Sequence, residues 1–433
     1  MLTPRYLEVW LLRQHVGWLC EAGRTIRFFP TEQYLNDTQR STLSLSMAVP
    51  GNDRLTQQVL QNHFDPAVYR ERGELPPFFA GLMPEGPFRG RLAATRTSER
   101  DRDDFGILAA AGEDLPGAVV VVPADLEKLS PAARAYGVTG GIDNLVPSAP
   151  EQAVEGAVSL AGVQNKLGLY RAEGGKRYSV PTKGKLSDLI AKLPAARDDS
   201  QVMNEYACMT LAGLAGVNVA QCRPMYMSTM SDRPELVETL GADTYFLAVD
   251  RFDRDHNRAI HMEDACQLLT LMPAEKYSGA KQFIKLIRVL DRLSMRGIED
   301  VRQLFIRQAV NTLIGNSDAH LKNFSVLYKN GISPELAPAY DIVCVSALAG
   351  FRGFGANVAV DELQRKETLG TYTTIAKQAG ISERIARAAV TQTVSLAKER
   401  WPQALREMNV PDAVRREIQG RLNTLPLSIG ARS

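Results

Sequence analysis

Gly315-Asn316-Ser317-Asp318-Ala319-His320-Leu321-Lys322-Asn323, continued by Phe324-Ser325-Val326-Leu327-Tyr328 and, past the pair Asn330-Gly331, by Tyr340-Asp341, is the most informative stretch of this chain. Just upstream, Val301, Leu304, Phe305, Ala309 and Leu313 recur at helical spacing, so a buried helix from Val301 to Ile314 delivers the chain to a polar loop. Downstream, the apolar run from Phe324, the Asn-Gly turn signal and a short return through Leu336 predict a β-hairpin. A hairpin brings its two ends together. Asp341, eighteen positions beyond Asn323, is therefore expected beside it, with one carboxylate and one carboxamide aimed at a common point. Hard oxygen donors arranged in this way suit Mg²⁺.

Phosphoryl transfer asks for a carboxylate to orient the attacking hydroxyl and for metal ions to neutralise the phosphates. In protein kinases the base precedes a metal-binding Asn by five residues, the interval that separates Asp318 from Asn323. The hairpin and a second metal-ligand Asp follow in the expected order, and a strand lysine, Lys192, lies upstream. Taken alone, a polar loop is more often a solvated turn, and Lys192 alone could be a surface lysine. The order of four features weighs against both. A metallohydrolase built on Asp318-Ala319-His320 would need further ligands at definite spacings. The other histidines, His15, His63, His256 and His261, are dispersed and supply none.

The bulk composition is that of an ordinary globular protein. Its 433 residues exceed what one hydrophobic core organises, so two or three packed units are expected. A hydrophobic fraction of 45% with 23% charged residues argues against disorder. The formal net charge of +2 offers no electrostatic case for direct contact with a nucleic-acid backbone. Cys20, Cys208, Cys222, Cys266 and Cys344 are scattered and never form CxxC, which fits neither a disulfide framework nor a zinc site. No apolar run reaches the roughly 18 residues of a membrane span, and a soluble cytoplasmic protein is expected.

Four segments are read along the chain. Residues 1–122 open with strands at Tyr6–Leu11 and Thr25–Phe29, with Gly17 and Gly23 as punctuation, and continue from Leu75 to Gly117 as breakers alternating with short helical patches. Residues 123–157, rich in Pro, Ala and Gly without sustained period, read as a linker. Residues 158–255 carry candidate strands at Lys166–Tyr170, Tyr178–Pro181, Leu189–Leu193 and Tyr245–Val249, with a helix from Val202 to Ala215 closed by Gly216. Residues 256–433 are mostly helical. The expected class is α+β: a β-rich N-terminal subdomain followed by a small β-rich lobe and a large helical lobe, as in protein kinases.

These motifs, in this order, resemble the HipA-type serine/threonine kinases, the toxin half of bacterial type II toxin–antitoxin pairs. The resemblance spans nearly the whole chain, through Leu75-Pro76-Pro77-Phe78-Phe79, Pro84-Glu85-Gly86, Gly112-Glu113-Asp114-Leu115-Pro116-Gly117-Ala118, Ser159-Leu160-Ala161-Gly162-Val163-Gln164-Asn165-Lys166, Lys192-Leu193-Pro194, Asn204-Glu205, Asp250-Arg251-Phe252-Asp253-Arg254, Glu263-Asp264-Ala265-Cys266-Gln267, the Asp318 loop and Tyr340-Asp341. It implies that Asp318 is the catalytic base, that Asn323 and Asp341 hold Mg²⁺, and that Lys192 meets the α- and β-phosphates of ATP. His320 and Lys322 would face the nucleotide, with Tyr340 beside them. The backbone of Ala161, Gly162, Val163, Gln164 and Asn165, with Lys166, would cradle phosphate in place of a GxGxxG loop. Asp250, Arg251 and Phe252 would form the adenine hinge, and Ser159 would be the autophosphorylated serine, whose added dianion competes with the nucleotide. Where the family commonly has Gln-Glu-Lys, this chain has Gln164-Asn165-Lys166, which removes a carboxylate.

Three side chains keep alternative readings. Glu205 is either the partner of Lys192 or a surface carboxylate, and Asp253 with Arg254 can be simply an ion pair at the lobe boundary. The resemblance further implies a HipB-like helix-turn-helix antitoxin as partner, DNA contact only through that antitoxin, and a protein substrate such as an aminoacyl-tRNA synthetase. Two other functions compete with a kinase toxin: a small-molecule phosphotransferase, and a catalytically silent kinase-fold binding module.

Overall fold

The computed structural model describes residues 3–138, 147–154, 166–171, 178–181, 185–230, 232–255, 258–277, 279–348 and 355–430. Ser159 and the segment from Ala161 to Asn165 lie outside the described residues.

The N-terminal unit is built on a five-stranded antiparallel sheet: β1 (Arg5–Leu11), β2 (Gln14–Ala22), β3 (Thr25–Pro30), β4 (Tyr69–Arg70) and β5 (Val119–Pro123), in the order β4-β3-β2-β1-β5. β2 was not foreseen. Its turn from β1 uses Leu12 and Arg13, both at positive φ, in place of the Asn-Gly that usually announces a two-residue hairpin. Gly17, expected as punctuation, lies inside β2, where an added Cβ would come within 2.2 Å of the Phe29 carbonyl oxygen. One face of the sheet packs Leu7, Val9, Leu19 and Phe28 against Phe78, Phe79, Ile107 and Leu108.

The other face is covered from the segment read as a linker. Pro131–Val138 is a helix whose Ala133 joins Tyr6, Trp18, Cys20 and Phe29 in a second cluster. Ser148 exchanges backbone bonds with Pro4 and Tyr6, and the Val154 amide reaches the Ala110 carbonyl. The described part of 123–157 is thus fastened to the N-terminal unit. A Pro- and Ala-rich composition signals weak periodicity, and here one short helix buries small residues against a sheet formed far earlier in the chain.

The small lobe carries β6 (Lys166–Arg171), β7 (Tyr178–Ser179), β8 (Leu189–Lys192), β9 (Cys222–Tyr226) and β10 (Tyr245–Asp250) in the order β7-β6-β8-β10-β9. The helix Ser200–Leu214 packs on this sheet. Beyond a short ribbon of β11 (Arg254–Asp255) and β12 (Arg258–Ala259), the large lobe holds the sheet β13 (His261–Asp264), β14 (Ser325–Tyr328) and β15 (Glu335–Leu336). The predicted hairpin is β14–β15, with Val326 opposite Leu336. Helices 280–293, 298–314, 369–379, 383–407 and 412–424 make up most of the remainder.

The helix Ile298–Ile314 is buried on nearly every side, including Val301, Leu304, Phe305, Val310 and Leu313. Each such large side chain contributes about 1.5–3 kcal/mol relative to exposure, enough to hold the polar loop that follows in a fixed place. No helix among the described residues is long and apolar enough to cross a membrane.

Candidate active site

The helix Ile298–Ile314 ends at Gly315 in the left-handed conformation, φ 82°. Glycine is required twice over, because a Cβ there would meet Ser346 Oγ at 2.2 Å and Arg421 Nε at 2.8 Å. The amide of Asn316 then donates to the Asn311 carbonyl at 2.9 Å, and its side-chain amide donates to Asn311 Oδ1 at 3.1 Å. These bonds turn the chain sharply from helix into loop.

Within the loop the Asp318 carbonyl accepts from the His320 amide at 2.8 Å and from Asn323 Nδ2 at 3.2 Å. The second bond fixes the Asn323 carboxamide and leaves its oxygen as the acceptor end. Tyr277 donates its hydroxyl to Asp318 Oδ1. Asn323, Asn316, Tyr340 and Asp341 line one small cavity under the loop.

Asp341 closes the constellation. It adopts φ 59°, a left-handed conformation that Asp tolerates better than most residues, and its Oδ1 accepts from Lys192 Nζ at 2.5 Å. The same ammonium donates to Glu205, which is fully buried in the helix Ser200–Leu214. Of the two readings of Glu205, the structure therefore has the pair with Lys192. Burial alone would push the Lys192 ammonium down, but the Asp341 and Glu205 carboxylates outweigh it and hold it above its ordinary value. Burial likewise favours neutral Asp341, yet Lys192 and then Lys166 keep its carboxyl well below the usual range. Lys166 lies opposite Lys192 in the β6–β8 register, so two lysines converge on this end of the cleft.

Other expected contacts fall elsewhere. Lys322 is 4% exposed and turns away from the cleft, donating to the Gly81 carbonyl at 3.0 Å and to Asp264 Oδ2 at 2.9 Å. It pins the back of the loop to the N-terminal unit, where Glu85 also pairs with Lys276 at 3.4 Å. A sequence cannot distinguish the two faces of a loop when the competing acceptor is some 240 residues away. His320 sits beside the Tyr277 ring, with centroids 5.3 Å apart, and burial pushes its imidazole down toward the neutral form.

At the expected hinge, the Asp250 and Arg251 amides already donate to the Gln221 and Asp188 carbonyls, at 2.8 and 2.9 Å. Adenine recognition by those two amides is therefore ruled out, which leaves other backbone groups of the segment. The Asp250 carboxylate pairs with Arg171 and Arg223. The Arg251 side chain is committed to a buried cluster with Asp114, Asp253 and Ser187, which Arg254 also joins. The foreseen Asp253–Arg254 pair is thus one edge of a larger joint. Phe252 packs its ring 5.5 Å from that of Tyr340, whose hydroxyl donates to the Lys322 carbonyl at 2.7 Å.

The donor set fits Mg²⁺ carried by a nucleotide. Among the described residues no group of three His, Cys, Asp or Glu could hold a metal alone. One carboxylate and one carboxamide oxygen, completed by phosphate oxygens and water, is the usual protein share for that ion. Asn323 and Asp341 would be those ligands.

The family model of the HipA-like C-terminal domain matches residues 158–401, and that of the HipA N-terminal domain matches residues 7–122. Y4dM of Sinorhizobium fredii is 31% identical over 403 residues, 91% of either chain. The serine/threonine-protein kinase toxin HipA of Shewanella oneidensis is 26% identical over 401 residues, covering 87% of this chain and 83% of that one. A solved complex of Shewanella oneidensis HipA, HipB and operator DNA superposes with a TM-score of 0.66 over 98% of this chain and 99% of that one, at 18% identity. The fold is thus the kinase-like α+β architecture with an N-terminal subdomain.

Proposed function

The chain belongs to the HipA family, and from that premise we propose that it is an ATP- and Mg²⁺-dependent serine/threonine protein kinase acting as the toxin of a toxin–antitoxin pair. The observation that carries this proposal is the Lys192 ammonium, held between Glu205 and Asp341 within the cleft that the Asp318 loop lines. A buried helix carboxylate that fixes a strand lysine, which in turn reaches a metal-ligand Asp, is the arrangement kinases use to place nucleotide phosphates.

Asp318 accepts a hydrogen bond from the substrate hydroxyl and takes its proton as the new O–Pγ bond forms and the bond from Pγ to the leaving ADP oxygen breaks. Lys192 meets the phosphates, and Lys166 adds a second cation on the neighbouring strand. Asn323 and Asp341 would hold Mg²⁺, which when bound would supply the charge neutralisation that phosphoryl transfer requires. The partner under this proposal is a HipB-like helix-turn-helix antitoxin, with DNA reached only through it. The acceptor is a protein hydroxyl, an aminoacyl-tRNA synthetase being one such substrate, and Ser159 is the autophosphorylation site.

Incubation with γ-labelled ATP and Mg²⁺ tests the proposal. The wild-type chain labels protein at Ser159, and Asp318→Asn lowers transfer by roughly 10²- to 10⁴-fold while ATP still binds. Unlabelled wild-type protein, or an Asp318→Asn variant that transfers normally, overturns it. ATP turnover driven only by a small metabolite would replace it with a small-molecule phosphotransferase.

A further inference from the structure

We propose that Tyr277 is a positioning residue for the catalytic base, holding the Asp318 carboxylate in the orientation that receives the substrate hydroxyl; this rests on the kinase reading of the site. Tyr277 lies outside the catalytic loop, 41 positions upstream of Asp318, and its hydroxyl donates to Asp318 Oδ1. A carboxylate at the mouth of a cleft rotates about its last side-chain torsion unless something holds it. One donor on Oδ1 removes that freedom and directs Oδ2 to the incoming hydroxyl. Orientation matters more than basicity here, because the protein's work in phosphoryl transfer is largely positioning.

Three observations indicate that the contact is built. First, the Tyr277 backbone is fixed relative to the loop, since the neighbouring Lys276 carbonyl accepts from the Leu321 amide at 3.0 Å. Second, the ring is held on two sides, edge-on to His320 at 5.3 Å and under the Lys276 ammonium at 5.6 Å. Lys276 is itself tethered to Glu85 of the N-terminal unit. Third, Tyr277 remains 39% exposed, so its ring adds little to any core, and the hydroxyl is its specific contribution. Burial and the Asp318 charge both push the phenol up, so Tyr277 keeps its proton and acts as the donor.

Tyr277→Phe removes the donor and keeps the ring. With the full-length chain, γ-labelled ATP and Mg²⁺, and self-labelling as the readout, we expect the maximal rate to fall roughly tenfold or more, as for loss of a hydrogen bond to a charged group. The KM for ATP should stay within about twofold, and the melting temperature should be unchanged. A merely structural tyrosine would not produce that split. An unchanged rate overturns the proposal. A faster rate also overturns it, because the hydroxyl would then be blocking the substrate's place. A fall accompanied by a raised KM and lowered melting temperature assigns Tyr277 to packing and overturns it as well. Wild-type protein that labels nothing removes the kinase reading itself, and Tyr277's role with it; active wild-type protein with an unaffected variant removes only the role of Tyr277.

Discussion

Two clusters of buried charge lie close together in this molecule and are finished differently. In the joint between the N-terminal unit and the hinge, Arg251 and Arg254 face Asp114 and Asp253, and all four side chains are at most 7% exposed. Both oxygens of each carboxylate are taken: Ser187 and the Gly117 amide complete what the arginines leave. In the cleft, Lys192 and Glu205 are as deeply buried, but Asp341 keeps 28% of its side chain exposed. A network whose carboxylate oxygens are all taken fixes architecture, since it offers an incoming cation no acceptor. An open one keeps part of its charge for something still to arrive.

Breaking the closed cluster should give the largest loss of stability. Arg251→Met leaves Asp114 and Asp253 short of a partner inside the protein, and removing one member of a buried pair costs about 3–5 kcal/mol. Chemical denaturation should show this as a lowered midpoint. Lys192→Met should cost less stability, because Asp341 can turn to water and only Glu205 is left short of a partner inside the protein, yet it should abolish phosphoryl transfer. If Lys192→Met proves the more destabilising of the two, the distinction between the clusters fails.

A third polar seam sharpens the comparison through pH. Glu263 accepts from Ser44 Oγ at 2.6 Å, from the Leu45 amide at 2.9 Å and from the Tyr328 hydroxyl, while His261, stacked on the Tyr328 ring, bonds the Leu43 carbonyl at 2.8 Å. Burial raises the Glu263 carboxyl to about 7 against these donors, with Asp264 adding to the rise. Burial lowers the His261 imidazole to about 4 against the Leu43 carbonyl and the Asp253 charge. The native state therefore holds an extra proton on Glu263 between about pH 4.5 and 7, so this group's contribution is lost as pH rises through that window. His261 has the opposite sign: the unfolded chain holds the extra proton between about pH 4 and 6.5, so stability is lost as pH falls. Each effect is about 3 kcal/mol at most, and in the overlap they oppose one another. Relative to wild type, Glu263→Gln should gain stability as pH rises through its window and His261→Gln as pH falls through its own. Urea titrations at a series of pH values check this; parallel profiles for all three proteins would refute it.

What the sequence made legible follows from distance along the chain. The buried helix, the Asp318 loop, the β14–β15 hairpin and the approach of Asp341 are contained in about forty consecutive residues, where periodicity and turn chemistry act directly. The sequence leaves Glu205 either paired with Lys192 or at the surface, because a helix carboxylate shows its burial only when the sheet beneath it is known. Lys322 was assigned to the wrong face of its loop, since Gly81 and Asp264 compete for it from afar. Tyr277 carries no local signal at all. β2 was missed because its turn residues, Leu12 and Arg13, belong to no usual hairpin code.

The region beyond Gly350, to which no site was assigned from sequence, offers the smallest expected effect. Gln364 is 1% exposed, donates to the Asn316 carbonyl at 3.0 Å and accepts from Arg421 at 3.4 Å. Arg421 is in turn held by Asp361 at 2.6 Å. This brace holds the loop at its start, two residues before Asp318, where Lys322 holds it near its end. Gln364→Met keeps the volume and removes both bonds, so we expect a loss of about 1–2 kcal/mol in stability, as for a buried hydrogen bond left unpaired. Phosphoryl transfer should fall only a few-fold, with the KM for ATP unchanged, because Gly315 and Asn311 still set the turn. A loss as large as that of Tyr277→Phe would mean that the loop is held mainly by the helical region beyond Gly350, and that the clamp through Lys322 to the N-terminal unit is secondary.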